Sequence, residues 1–400
     1  MKAPKKYDGY RSFQYLREGI DYEAFVLAPE VNRVPSRRVE VTAEQEARAQ
    51  RLLDENLVIS LHDHPSLVPQ DPSEIFRYRR QGRDVTGYEG LSVSKTDVVF
   101  DNMNDGTALI TSKAGWKWDD IIYDMGMRLS DFAHQDFAMV VHRTEDIHKA
   151  VETGRIGVVL TLEAATPIEN EIDRLDILYG FGVRCMGLVY SESNALGSGL
   201  KEVRDGGLTQ LGRQAVRRMN QLGIAIDVSH TGDQTALDAI ELSEKPIFVT
   251  HAGARSLWNT SRMKPDDVIR ALGQKGGVFG VEAAPHTTLT AKHKEHSIES
   301  FMEHFEYIAN LIGIDHVAFG PDTLFGDHVA LHHAFARQLS IESAHEGPQF
   351  DEVAYVDGIE NPAENFHNIA RWLVTHGYSD EDIKKVLGGN ILRVLDQVWI

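Results

Sequence analysis

The run Val58-Ile59-Ser60-Leu61-His62-Asp63-His64-Pro65 carries an apolar stretch straight into two histidines and is stopped by proline. In an extended strand alternate side chains share a face, so His62 and His64 point one way and Asp63 the other. Two imidazoles from one strand end are the start of a transition-metal site. Further groups of suitable type end later apolar runs: Glu163, Tyr190, His230, His251 and Asp322. Four imidazoles with carboxylates suit one or two zinc-like ions. A carboxylate such as Glu163 can bridge two ions. Two ions a few Å apart can hold a hydroxide between them and clamp both sides of a hydrolytic transition state.

These residues converge only if the elements between them form a parallel barrel. Strands are read at 58–62, 107–112, 157–163, 183–190, 224–230, 246–251, 277–281 and 316–322, with helices between them. Thr42 is placed to cap a helix running to Leu57. Thr209 caps another whose apolar stripe is Leu211, Ala215, Met219 and Leu222 and which Gly223 ends. Strict βα alternation over eight units implies an α/β fold, a (β/α)8 TIM-like barrel with its site at the C-terminal strand ends. The chain is read as a single barrel domain over 1–400. Residues 1–56 are an N-terminal extension, 57–325 carry the barrel strands, and 326–400 form a C-terminal loop and helices. The polar stretch 66–105, with Arg77, Arg79, Arg80 and Arg83, reads as a long β1–α1 insertion, either a solvated loop or a lid.

Each residue has a plainer reading. A single strand-end histidine is ordinarily a satisfied hydrogen-bonding group, but four around one barrel mouth are not independent. Glu163 alone could pair with an arginine, Asp322 could cap a turn, and Tyr190 could be a core aromatic. Asp63 and Asp227 face away from the pore by parity and are read as supports. His328, His332 and His333, and His286, His293 and His296, fall in polar segments read as solvated loop.

A chain of 400 residues with a formal net charge of −19 is unsuited to nucleic acid or an acidic membrane, where binding rests on phosphate neutralisation. Cys185 is the only cysteine, so no intramolecular disulfide can form. No run reaches the roughly 20 apolar residues of a membrane span, and Met1 to Tyr15 lacks the apolar core of a signal peptide. The expectation is a soluble, cytoplasmic protein with a small-molecule partner.

Five stretches resemble the membrane (renal) dipeptidase family of the amidohydrolase superfamily: GRIGVVLTLEAA from Gly154, GLTQLGRQAVRRMNQLGIAIDVSH from Gly207, THAGARSLWNTSRMKPDDV from Thr250, IANLIGIDHVAFGPD from Ile308 and GYSDEDIKKVLGGNILRV from Gly377. The resemblance implies a binuclear zinc barrel, with two Zn2+ ions, that hydrolyses dipeptides. By position it implies that His62, Glu163, His230 and His251 are metal ligands and that Asp322 is the catalytic aspartate. It further implies that Arg262, eleven residues after His251, holds the substrate carboxylate. Family members often form homodimers, and that is the oligomeric state the resemblance implies.

The chain departs from the family at three places. His64 replaces the aspartate of a His-x-Asp, giving the His-x-His of other amidohydrolases and retaining a metal ligand. Tyr190 stands where the family places a histidine that polarises the scissile carbonyl, and a phenol can donate to an oxyanion. Thr323-Leu324-Phe325-Gly326 replaces Phe-Asp-Gly after the last strand's aspartate. The reading is therefore a metal-dependent amide hydrolase, dipeptidase-like. Its rivals are a hydrolase of another amide, such as an N-acyl amino acid or a lactam, and a non-catalytic metal-binding homologue.

Overall fold

The computed structural model describes residues 2–35, 38–103, 115–336 and 346–400. Its centre is a wholly parallel sheet of β1 (Ile59–Leu67), β2 (Val98–Asn102), β3 (Ala138–Val140), β4 (Ile156–Leu162), β5 (Val183–Gly187), β6 (Ala225–Asp227), β7 (Phe248–Ala252), β8 (Val278–Val281), β9 (Val317–Phe319) and β10 (Leu324–Phe325). The order is β10-β1-β2-β4-β5-β6-β7-β8-β9, with β3 pairing beside β4. β9 and β10 are successive pieces of one segment, so the two ends of the sheet meet. The Asp322 amide donates to His62 O at 3.0 Å and the His64 amide to Thr323 O at 2.8 Å. Parallel strands end at one rim, which gathers residues from far-apart parts of the chain. The TIM-like α/β reading holds.

Two strand readings are corrected. The second barrel strand is Val98–Asn102, inside the stretch read as insertion, whereas the strand read at 107–112 lies outside the described residues. β1 also runs through Pro65 instead of stopping there. Proline lacks an N–H, but pairing passes from β2, through Asp63, to β10, from His64, so no ladder donor is needed at 65. Its carbonyl accepts from the Gly87 amide at 2.8 Å.

The stretch between β1 and β2 is folded, with helices at Ile75–Gln81 and Tyr88–Val93. Arg79 and Arg128 share Asp84 at 2.6 and 2.7 Å, and Arg128 also pairs with Asp101 at the end of β2. Part of the basic cluster is thus internal, and these buried ion pairs tie the stretch to the helix Trp118–Phe132. Several helix ends match their sequence signals. Thr42 and Thr209 cap Ala43–Glu55 and Gln210–Leu222, and Gly223 closes the latter at φ 78°.

The apolar residues form two layers. One lies between sheet and helices. The other fills the barrel with Ile59, Leu61, Phe100, Val159 and Phe248, and is closed from below by Ile391, Val394, Leu395 and Val398 of the helix Asn390–Val398. A π turn at Lys385–Gly389 leads into that helix. There a Cβ on Gly388 would lie 2.7 Å from Leu57 O, so only glycine permits the close approach. Among the described residues no helix is long and apolar enough to cross a membrane.

Candidate metal centre

The rim opposite that plug carries the polar residues. His62 and His64 lie on one side of β1, as strand parity requires, with ring centroids 5.2 Å apart. Asp63 faces the other way. It accepts from the Thr323 amide at 2.8 Å and the Thr323 hydroxyl at 2.7 Å, and from Ser60 Oγ. This anchor fixes the turn that carries Asp322, whose φ of 57° is a left-handed conformation unusual for a non-glycine residue. Asp322 Oδ1 comes to 3.4 Å from His62 Nε2 and 3.1 Å from His64 Nε2.

Glu163 follows β4, and its backbone passes so close to β5 that a Cβ on Gly187 would stand 1.8 Å from Glu163 O. Its Oε1 lies 3.3 Å from His62 Nε2, 3.4 Å from His251 Nε2 and 3.8 Å from His230 Nε2. Asp227 Oδ1 accepts from the Ser229 amide at 3.0 Å and the Thr250 amide at 2.9 Å, pinning the ends of β6 and β7 together. His230 and His251 are thereby paired, Nε2 to Nε2 at 3.0 Å. Both parity readings, of Asp63 and of Asp227, hold as supports.

Three overlapping groups have their ligand atoms within 4.8 Å of one another: His62, His64, Glu163 and Asp322; Glu163, His230 and His251; and His251, Glu282 and Asp322. Glu163 is common to the first two. Buried polar atoms are ordinarily hydrogen-bonded, yet His62 Nε2, His64 Nδ1, His230 Nδ1 and Asp322 Oδ1 have no well-aligned hydrogen-bond partner. Burial alone would raise Glu163, but the nearby rings of His251 and His62 and the charge of His230 hold it well below the usual carboxylate range. Asp322 is likewise held well below its ordinary value by His62 and His64, against burial. Burial opposes charge on His62, but Asp322 and Glu163 outweigh it and raise the ring to about 10. Burial and the charge of His62 lower His251 to about 4. Two ionised carboxylates strong enough to keep a proton on a buried imidazole are equally placed to hold a cation. The donor set of imidazole nitrogens and carboxylate oxygens fits a zinc-like ion.

Tyr190 stacks on His230, centroids 4.0 Å apart at 20°, and Trp116 packs against it at 5.0 Å. Arg262 is 3% exposed. Its Nη2 donates to His251 O at 2.9 Å and to Glu282 Oε2. Seven of the eight residues singled out from the sequence thus meet at one mouth, and Arg262 packs directly behind His251.

Two residues there were missed. Glu282 directly follows β8 and Asp101 lies in β2. Glu282 carries the signal that identified Glu163, a carboxylate closing a β-rich apolar run. Three of the histidines read as solvated loop are also corrected, whereas His293 is partly exposed and His333 exposed. His328 begins the helix His328–Phe335, and His328, His286 and His296 are buried. The His296 ring accepts from the His286 amide at 2.9 Å.

The family model described as membrane dipeptidase (peptidase family M19) matches residues 123–333. The dipeptidase tcpJ of Claviceps purpurea is 26% identical over 268 residues, covering 66% of this chain and 56% of that protein. The dipeptidase aclJ of Aspergillus oryzae is 27% identical over 267 residues, covering 66% and 57%. The chain therefore spans little more than half the length of these two relatives. An amidohydrolase structure from Pseudomonas aeruginosa superposes with a TM-score of 0.71 at 24% identity, covering 88% of this chain and 99% of that one. That likeness establishes the fold.

Proposed function

The chain belongs to the membrane dipeptidase family, peptidase family M19, and from that premise we propose that it hydrolyses an amide bond in a small, dipeptide-like substrate. The observation that carries the reading is the convergence of His62 and His64 with Glu163, and of His230 and His251 with the same Glu163, in two overlapping ligand groups. The set suits two zinc-like ions, His62 and His64 serving one, His230 and His251 the other, and Glu163 both. When bound, such ions supply an acidified water and a Lewis acid for the scissile carbonyl.

The protein's own groups do the rest. Asp322, ionised at neutral pH, takes the proton of the attacking water and returns it to the leaving nitrogen. Tyr190 is held flat on His230, and its hydroxyl donates to the oxyanion as it develops. Arg262 places positive charge behind His251, where the family resemblance puts the substrate's carboxylate. One observation favours the second reading, a hydrolase of a different small amide: that guanidinium already carries Glu282.

The test is zinc content by elemental analysis, followed by a panel of dipeptides, N-acyl amino acids and lactams. Two zinc equivalents and turnover of one class are expected. A chain that takes up no metal ends the proposal.

A further inference from the structure

Between the N-terminal extension and the stretch that follows β1 lies a crevice of about 340 Å3. None of the residues lining it belongs to the three ligand groups of the mouth. Tyr10 and Tyr88 line it with ring centroids 5.5 Å apart. Their hydroxyls donate to Asp131 Oδ1 and Oδ2, both at 2.8 Å, and Ser12 Oγ and the Phe13 amide donate to the same carboxylate at 2.6 and 2.7 Å. The buried Asp131 thus fixes this wall and takes up its hydroxyls, so the wall offers a ligand its rings. Tyr22 adds a half-buried ring. Of the charged residues that line the crevice, Arg11 and Glu18 are exposed and Glu30 is half-buried. Glu30 Oε2 accepts from the Gly90 amide at 2.7 Å, at the start of the short helix Tyr88–Val93. Among the described residues no lysine or arginine forms an ion pair with Glu30, and burial pushes its carboxyl up to about 7.

We propose that this crevice is a second ligand site, for a small organic ammonium ion with an apolar body. An ionised carboxylate only accepts hydrogen bonds, so its partner must be a donor, and a cation offsets the cost of holding charge away from water. The rings favour the same ligand, because an ammonium is attracted to the face of a tyrosine and an apolar body packs against it. The volume suits an amine carrying one aromatic ring. A free amine and an amino acid both bring that ammonium, and Arg11 is placed to meet the carboxylate of the latter. The plainer role of Glu30 is to hold the Gly90 amide at the helix start. That role needs an oxygen acceptor and no charge, which separates it from ligand binding. The inference stands apart from the hydrolase reading, and none of its tests uses turnover.

The experiment titrates the full chain, metal-free and zinc-loaded, with phenethylammonium, phenylalanine and 3-phenylpropanoate by calorimetry. A buffer of about pH 8 keeps the Glu30 carboxyl ionised. One phenethylammonium per chain is expected, with the same Kd in both forms, and phenylpropanoate should bind about tenfold more weakly or worse. Glu30→Gln keeps an acceptor for the Gly90 amide, so the melting temperature should hold while the Kd for phenethylammonium rises about tenfold or more. Tyr22→Leu removes a half-buried ring and should raise that Kd about threefold. It decides the matter should the Glu30→Gln chain fail to fold by circular dichroism. Phenylalanine binding more tightly than phenethylammonium, with the advantage lost in Arg11→Gln, supports the site as one for an amino acid, and the reverse order supports it as one for a free amine. No binding of phenethylammonium, equal binding of phenylpropanoate, a Kd that changes on zinc loading, or a Kd unmoved by the substitutions at Glu30 and Tyr22 overturns the proposal.

Discussion

The two ends of the barrel are built from the same strands and solve opposite problems. At the lower end Ile391, Val394, Leu395 and Val398 fill the opening. The polar groups there are matched: Asn390 Nδ2 donates to Ile314 O and Val317 O, both at 2.8 Å, and Trp399 Nε1 donates to Arg184 O at 3.1 Å. At the upper end His62 Nε2, His64 Nδ1, His230 Nδ1 and Asp322 Oδ1 are buried without hydrogen-bond partners. Close packing and satisfied hydrogen bonds stabilise a fold. Unsatisfied buried groups cost stability and persist where they hold a ligand. The difference separates what keeps the barrel closed from what makes it work, and substitutions at the two ends should fail in different ways.

The largest effect is expected at the upper end. Asp322→Asn keeps the size of the side chain and removes the proposed proton acceptor. Turnover should fall by roughly 10³-fold, within the range for general acid–base groups, while zinc stays bound on the remaining ligands. The melting temperature of the metal-free chain should fall, because a neutral amide does not replace the charge that Asp322 sets against His62 and His64. Steady-state kinetics, elemental analysis and a thermal melt check the three parts. Persisting turnover would remove Asp322 from the proton path.

The lower end should show the converse. Leu395 is 0% exposed in the plug, so Leu395→Ala leaves a cavity and should lower unfolding stability by about 2–5 kcal/mol. The kcat/KM of the folded fraction should match the native chain. A variant that lost activity in proportion to stability at temperatures well below its melt would show that the two ends are mechanically coupled.

Most of the upper end was legible because one rule located it. A β-branched run closed by a metal-ligating side chain marks a strand end, and parallel strands bring such ends together. His62, Glu163, His230 and His251 follow runs of this kind. The rule failed where the run was short or the environment polar. β2 offers only Val98-Val99-Phe100 before Asp101 and Asn102, and the residues ahead of it are polar. Its burial comes from tertiary contacts and from Arg128, which pairs with Asp101 from a helix beginning at Trp118. Glu282 was legible by the rule and was overlooked. The plug was legible as helices only, since nothing local tells an amphipathic helix which opening it closes. Proline as a strand stop misled at Pro65 because strand pairing changes partner there.

Tyr190→Phe tests a finer part of the contrast. Its ring packs like a core aromatic against His230 and Trp116, which is its plainer role. Its hydroxyl is the group proposed to donate to the oxyanion. The substitution keeps the stack, so stability and zinc content should not change, while kcat should fall by roughly 10- to 100-fold, somewhat less than for a dedicated oxyanion donor. An unchanged kcat would return Tyr190 to packing alone.

The smallest effect separates two kinds of buried histidine. His304 lies in the wall, on the helix Ile298–Ile312, and both of its ring nitrogens are matched: Nδ1 accepts from the Ala254 amide at 2.9 Å and Nε2 donates to Leu289 O at 2.8 Å. Burial lowers it to about 4, against about 6.5 in an unfolded chain. Between those values the unfolded chain binds more protons than the folded one. The stability His304 contributes is therefore complete above the unfolded value and is lost as pH falls toward 4. From about pH 7 to about pH 5.5 the loss should be about 1 kcal/mol, read from denaturant midpoints. His304→Gln, which offers an acceptor and a donor without titrating, should flatten the profile by that amount while the background from other groups stays common to both chains. The His62 ring, raised by its carboxylates, has the opposite sign: its folded-state proton stabilises the metal-free chain as pH falls below about 10. An identical slope in the native and His304→Gln chains would mean that the wall histidine, like His62 at the mouth, has found a charged partner that keeps its proton.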